Sequence, residues 1–254
     1  VSIKIRKLSY PMGAEIIGVD PRKPFDKETQ REVHRAFLDH CLLAFRGVSL
    51  TPAQFVAFSR QFGRPDASRK SGEPDCPEVT RLINKPKPEG VPADTHYAGS
   101  DWHADASFRV APTPITMLHA VEVPEAGGDT QFANMYLAYE TLSDGMKKLL
   151  EKLEGVHIQE EKLLDHSTPG RLRESRKSMT IAHPLVWVHP ETGRKSLYIG
   201  DKVQMFAGMT PDESTPLIDF LLNHAQRPQF LYCHQWQTND LVVFLETLSN
   251  HADN

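Results

Sequence analysis

The sequence predicts an α+β protein that is mainly β, with antiparallel sheets flanked by helices. Three observations carry that expectation. The apolar runs are short and strand-sized, among them "AEIIGV", "CLLAF", "ITMLHAVEV" and "DLVVFL". Proline and glycine, 19 and 15 of them, punctuate the chain at short intervals, as they do in proteins of many strands. The helical segments fall in the first half, at 143–155 and at 210–225, without the regular strand–helix alternation of a doubly wound sheet.

The elements follow in chain order. "VSIKIRKLSYPMGAEI" alternates apolar and polar residues and lacks the continuous apolar segment of a signal peptide; "AEIIGV" within it reads as a strand. A weakly marked helix covers "KETQREVHRAFLDHC" and runs into the strand "CLLAF". In "LTPAQFVAFSRQFG", Thr51 is an N-cap, Pro52 the first helical residue and Gln54 the capping-box partner, with Gly63 placed as a C′ glycine. After the strand "VTRLI" comes a Pro-, Gly- and charge-rich stretch at 84–99 with the composition of a lid. "SDWHADASF", 100–108, reads as extended chain, and "ITMLHAVEV" as a strand. "SDGMKKLLEKLEG" predicts a helix from Ser143 to Gly155, with Met146, Leu149, Leu150 and Leu153 at core spacing. A second lid-like stretch spans 166–178. "TIAHPLVWV" and "KSLYIG" then form a hairpin about the turn residues Pro190, Thr192 and Gly193. Thr210 and Glu213 open another capping box, in a helix that Pro216 is expected to bend or delay. "QFLYCHQ" and "DLVVFL" close the set of strands.

Composition removes several function classes. The 254 residues are 39% hydrophobic and 24% charged, with a net charge of −4, which supplies no basic footprint for nucleic acid. No apolar run approaches the roughly 20 residues of a membrane span. Cys41, Cys76 and Cys233 are odd in number and widely spaced, so neither a disulfide framework nor a zinc finger is expected, and a reducing cytoplasm fits best. Phosphate-binding and dinucleotide glycine patterns are absent, as is a nucleophile elbow.

The chemical signal is in the histidines. His103 and Asp105 are two apart in extended chain, so their side chains project from one face. Two histidines and one carboxylate on one face of an octahedron leave three positions open, the pattern of non-haem Fe(II) oxygenases. Spacing does not choose the second histidine: His183, His189, His234 and His251 would each serve. His34, His40 and His224 fall on helices and are expected to be partly exposed, and His119 reads as a satisfied core histidine.

"DWHADASF", "APTPITMLHAVEVPEAGGDTQFANMYLAYETLS", "HPLVWVHPETGRKSLYI" and "WQTNDLVV…NHAD", in that order, resemble the taurine/2,4-D dioxygenase (TauD/TfdA) family. "MGAEIIGVD" and "LLAFRGVSLTPAQFVAFSRQFG" fit it as well, so the resemblance spans nearly the whole chain. It implies a double-stranded β-helix (jelly-roll) core and an enzyme that uses Fe(II), 2-oxoglutarate and dioxygen. By position, His103, Asp105 and His251 become the metal ligands, and Thr130 the residue that hydrogen-bonds the distal carboxylate of 2-oxoglutarate. Gly127 and Gly128 become the turn that delivers Thr130, and Trp102 an aromatic wall. The implied reaction is hydroxylation with release of succinate and CO2. Asp105 argues against halogenation, in which a small residue takes the carboxylate's place.

The match has departures. The family's arginine for the far carboxylate of 2-oxoglutarate is expected beyond Asn254, so that the single catalytic domain, 1–254, would lack its C-terminal strand region. Where relatives read W-D-N-R, this chain has Phe244, Leu245, Glu246 and Thr247. Gly99 and Gly200 stand where the family often has asparagine. Tyr97, Asp101 and Lys202 are then the nearby polar candidates, with Trp102, for a substrate pocket. The expected partner is a small anionic molecule, a sulfonate, sulfate ester or aryloxyalkanoate. Nucleic acid and membrane are excluded, and self-association is left open. Alternatives are desaturation or cyclisation of an amino-acid-derived metabolite with the same cofactors, a metal-free jelly-roll binding module, and a zinc hydrolase.

Overall fold

A computed structural model describes residues 3–67, 72–73, 75–82, 102–161, 177–246 and 249–253. The stretch 84–99 and residues 166–176 of the second lid-like stretch lie outside the described residues.

The first unit is a sheet built around one helix. Strands β1 (Lys4–Lys7) and β2 (Ala14–Ile17) pair antiparallel. Helix α1 (Lys27–His40) starts where the Asp26 side chain accepts the N–H groups of Glu28 and Thr29, and stops at Cys41, whose left-handed φ of 62° turns the chain. Its buried Val33, Ala36 and Phe37 lie at helical spacing on one face. The chain returns as β3 (Leu42–Phe45), buried throughout and parallel to β2. The Thr51–Gln54 capping box and Pro52 start α2 (Pro52–Ser59) as expected, but its last helical residue precedes Gly63 by four positions. The short strands β4 (Gly72–Glu73) and β5 (Cys76–Thr80) pair with each other.

The rest of the chain builds the β framework. In order come β6 (Ile115–His119), β7 (Thr130–Asn134), α3 (Met135–Glu140), α4 (Asp144–Leu150), β8 (Glu154–Glu161), β9 (Lys177–Pro184), β10 (Val186–Val188) and β11 (Lys195–Leu197). They are followed by β12 (Val203–Phe206), α5 (Pro211–Ala225), β13 (Leu231–His234), β14 (Leu241–Leu245) and β15 (Ser249–Asp253). Strand orders are β1-β2-β3-β14-β6, β13-β7-β15 and β12-β8-β9, with β10-β11 a separate hairpin. The Thr210–Glu213 box starts α5, and Pro216 neither delays nor ends it.

Three expectations are corrected here. The helix from Ser143 ends at Leu150 instead of Gly155, because residues from Glu154 onward pair as β8 with both β9 and β12. Gly155 serves that pairing: a Cβ there would stand 3.2 Å from Val203 Cγ1. Leu149, placed in the core by spacing, is 48% exposed, whereas Leu150 is fully buried. His224 is buried rather than partly exposed, and its Nε2 bonds the Ala138 carbonyl at 2.8 Å, tying α5 to α3.

Strand β7 joins two cores. Phe132 points into the first, meeting Phe244 of β14 at a ring separation of 4.9 Å, while Ala133 packs in the second with residues of α3, α5 and β10–β12. The sheets β1-β2-β3-β14-β6 and β13-β7-β15 therefore face each other across the first core, and the candidate site lies at that junction.

Candidate metal centre

His103 and His251 oppose each other in a one-residue antiparallel bridge. The N–H of each donates to the carbonyl of the other at 3.1 Å. Residues in such a pair project to the same face, and here their rings lie 4.2 Å apart between centroids. Backbone pairing thus brings together two imidazoles separated by about 150 residues of sequence.

Asp105 joins them by a turn. The expected extended run stops there: Ala106 has a left-handed φ of 55°, and Arg109 donates to the Ala106 carbonyl at 3.0 Å. The turn places Asp105 Oδ1 3.7 Å from His103 Nε2. One potential ligand atom from each of His103, Asp105 and His251 lies within 4.8 Å of the others. The Asp105 N–H donates to Glu246 Oε2 at 2.9 Å, and the Thr116 hydroxyl lies 3.5 Å from Asp105 Oδ2.

The electrostatics suit a cation. Burial, with the His103 ring adding, lowers the His251 pKa to about 3, so this imidazole is a neutral lone-pair donor. The side chains of His103 and Asp105 keep 20% and 30% exposure, which gives access from one side. Two nitrogens and one carboxylate oxygen fit a divalent first-row metal with open positions.

Thr130 begins β7, buried, after a turn in which Gly127 and Gly128 have φ of 76° and 72°. In register, Phe132 opposes His251 and Thr130 opposes Asp253. Thr130 therefore lies on the His251 face, about 7 Å further along the strand. Its Oγ1 accepts the indole N–H of Trp236 at 2.9 Å. Trp102 is half-buried against the second core, and its carbonyl accepts the Asp201 N–H at 2.9 Å. Lys202 is ion-paired with Asp201. Tyr97 and Asp101 lie outside the described residues.

The other histidines have structural partners. His183 Nε2 bonds the Arg109 carbonyl at 2.9 Å, and His189 Nδ1 accepts the N–H groups of Glu191 and Thr192 at 3.2 and 3.3 Å. His119 Nε2 bonds the Val48 carbonyl at 2.8 Å, and His234 Nδ1 lies 2.9 Å from the Tyr232 hydroxyl. Sequence reasoning gave no role to Glu246 or Trp236. Glu246 was visible only as a departure from W-D-N-R, and Trp236 only as a letter in the resemblance.

The profile of the family described as taurine catabolism dioxygenase TauD, TfdA family matches residues 4–252. The chain belongs to this family. A pentalenolactone F synthase from Streptomyces arenae is 35% identical, over 95% of the chain and 86% of its own length. An alkylsulfatase from Acinetobacter baylyi is 31% identical, over 98% and 79%. An α-ketoglutarate-dependent 2,4-dichlorophenoxyacetate dioxygenase from Cupriavidus pinatubonensis is 29% identical, over 96% and 89%. Among solved structures, a taurine dioxygenase from Burkholderia xenovorans superposes with a TM-score of 0.80 at 31% identity, over 100% of the chain and 83% of its own. AAD-2 in complex with Mn(II) and N-oxalylglycine does so at 0.79 and 29%, over 99% and 90%.

The TauD/TfdA membership settles class and fold. The protein is a 2-oxoglutarate-dependent non-haem iron dioxygenase on a jelly-roll framework, with Fe(II), 2-oxoglutarate and dioxygen as the family's cofactors. No helix among the described residues is long and apolar enough to cross a membrane.

Proposed function

We propose that His103, Asp105 and His251 hold the iron of this dioxygenase, that Thr130 holds the distal carboxylate of 2-oxoglutarate, and that the substrate is a small organic anion. The observation that carries the ligand set is the convergence of three donor atoms within 4.8 Å, one of them on an imidazole that burial keeps neutral. When bound, iron would activate dioxygen, the oxidant, which takes two electrons from 2-oxoglutarate (giving succinate and CO2) and two from a substrate C–H bond (giving the alcohol).

The chain's own residues bind and orient. The His103–His251 bridge fixes two ligands by backbone hydrogen bonds, so the ring geometry does not depend on loop order. Asp105, on a turn held by Glu246, would be the third donor holding the iron. The indole of Trp236 takes one lone pair of Thr130 Oγ1, which orients the hydroxyl. The walls formed by Phe132 and Phe244 beside His251 exclude water.

The substrate class is supported by relatives named for sulfate-ester and aryloxyalkanoate chemistry. Hydroxylating the carbon next to the ester or ether oxygen would give an unstable product that collapses to an aldehyde and a released sulfate or phenol. Trp102 is read as part of the pocket wall. Lys202 is the less favoured pocket residue, its ammonium being engaged by Asp201. The proposal treats 1–254 as one catalytic domain, supported by the sharing of β7 between both cores. It places the protein in the cytoplasm, supported by three cysteines that are all free.

The test is an anaerobic titration with Fe(II) and then 2-oxoglutarate, followed by a panel of alkyl sulfates, alkyl sulfonates and aryloxyacetates with succinate as readout. A saturable visible charge-transfer band, and succinate formation stimulated by one substrate class, are the expected results. Iron bound without the band would remove the cosubstrate assignment, and no iron uptake would remove the ligand set.

A further inference from the structure

Behind the three donors stands a second carboxylate. Glu246 is the first residue past β14, which lies between β3 and β6 in the five-stranded sheet and is buried along its whole length. Its backbone N–H donates to the Pro114 carbonyl at 3.0 Å, and the residue is 1% exposed. A carboxylate is costly to bury unless charge or hydrogen bonds compensate it, so the contacts of Glu246 indicate what it is for.

Those contacts reach both ends of the donor set. Glu246 Oε2 accepts the Asp105 N–H at 2.9 Å, anchoring the turn that presents the Asp105 carboxylate. The same oxygen lies 3.9 Å from Nδ1 of His251. That nitrogen is buried and has no hydrogen-bond partner. A small ring rotation brings Nδ1 within hydrogen-bond range of the oxygen already facing it. A neutral imidazole carries one proton; placed on Nδ1 and donated to a carboxylate, it leaves the Nε2 lone pair for a metal.

We propose that Glu246 is a positioning residue of the metal centre: its carboxylate receives the Nδ1–H of His251 and the N–H of Asp105 together, fixing the histidine with Nε2 toward the iron. The inference rests on His103, Asp105 and His251 being the ligands. It adds that the centre has a carboxylate–histidine–metal relay, so that two carboxylates, one ligating and one behind the ring, face a dication. Outer-sphere partners of this kind orient the ring and raise its basicity as a ligand.

The decisive variant is Glu246→Gln, whose amide oxygen in the place of Oε2 can still accept the Asp105 N–H and face Nδ1 but carries no charge and is a weaker acceptor for the Nδ1–H. Anaerobic titration with Fe(II) alone, and with Co(II) for its ligand-field spectrum, should show affinity weakened by about 10- to 100-fold, the range for loss of an outer-shell partner. The melting temperature of the metal-free protein should not fall, because a buried charge has been removed. A residue that only anchors the turn predicts unchanged affinity and an unchanged Co(II) spectrum, and that result overturns the proposal while leaving the ligand set intact. Failure of the unsubstituted protein itself to take up Fe(II) removes the ligand set and the relay with it. A second measurement needs no variant: nitrogen-15 NMR of the Zn(II)-loaded protein should find the His251 proton on Nδ1. A proton on Nε2 overturns the proposal.

Discussion

Two histidine–carboxylate clusters among the described residues contain a buried histidine and a buried carboxylate, and they differ in what completes them. In one, His234 Nε2 lies 3.4 Å from Asp240 Oδ2, both side chains fully buried. Arg46 is ion-paired with that carboxylate, Gln237 donates its N–H to it at 2.8 Å, and the Tyr232 hydroxyl meets the other nitrogen of His234. In the other, His251 lies 3.9 Å from the buried Glu246, and what gathers in front is a second imidazole and a second carboxylate that are partly open to solvent. Burial lowers both histidines to about 3, so neither the residue types nor their protonation separates the clusters. The separation lies in what gathers around each pair. The His234 cluster has the Arg46 cation ion-paired with its carboxylate, whereas His251 shares its cluster with a second imidazole and a second carboxylate whose potential ligand atoms converge within 4.8 Å. A histidine beside a carboxylate reads as a ligand where three donor atoms converge at a partly open point, and as structure where an arginine and a tyrosine already engage the pair.

The strongest way to break this comparison is to strike each cluster at its charge. Asp105→Ala should abolish substrate-dependent succinate formation while leaving the fold in place, a loss exceeding the roughly 10- to 100-fold expected for an outer-shell partner. Turnover at the unsubstituted rate would remove Asp105 from the ligand set. Arg46→Met should do the opposite. Leaving Asp240 buried without its cation is expected to cost about 3 kcal/mol of stability, measured as a lowered urea midpoint, with Fe(II) affinity unchanged. Loss of iron binding in step with stability would show the two clusters to be one network.

Acidification sharpens the contrast for histidines outside the metal site. Burial lowers His157 to about 4, with the neighbouring His183 adding to the effect, and lowers His234 to about 3, with Arg46 adding. In the unfolded chain both titrate near the ordinary value of 6.5. Below that pH the unfolded chain binds protons that the folded chain refuses, so the stability held by these groups is complete above about 7 and declines as pH falls toward 4. Each contributes a slope of about 1.4 kcal/mol per pH unit in that window. His157→Gln should make the pH-dependence of the urea midpoint shallower, and an unchanged slope would mean that His157 titrates alike in both states.

The sequence made the helix starts at Thr51, Ser143 and Thr210 legible because caps are local chemistry, each side chain acting within a few residues of its target; the caps Asp26 and Asn134 were not read. Strands with strongly apolar runs, such as Leu241–Leu245, were equally clear. Among the strands that escaped notice, Thr130–Asn134, Glu154–Glu161 and Ser249–Asp253 are polar or glycine-containing and Val203–Phe206 is only four residues long; they exist through their pairing partners, which a linear pattern does not show. The site divides along the same line. His103 and Asp105 could be paired from spacing, although the structure joins them by a bridge and a turn instead of a continuous strand. His251 could not be chosen among four histidines without the family resemblance, because its partnership with His103 is set by backbone pairing across the fold. Glu246 and Trp236 act only through atoms brought to them by that pairing.

The smallest expected effects concern the cosubstrate. Thr130→Ala should weaken 2-oxoglutarate binding by about 1–2 kcal/mol, the scale of one hydrogen bond to a charged group, with Fe(II) affinity unaffected. Trp236→Phe keeps a ring against His234, which it meets edge-on at 4.4 Å, but removes the indole N–H that Thr130 Oγ1 accepts at 2.9 Å. If the indole acts by orienting the threonine, its loss should weaken 2-oxoglutarate binding by no more than about 1 kcal/mol. The double variant should then bind no worse than Thr130→Ala alone, because the tryptophan has nothing left to orient. Additive losses in the double variant would show that Trp236 contributes to the cosubstrate site by a route of its own, and the orienting role would fall.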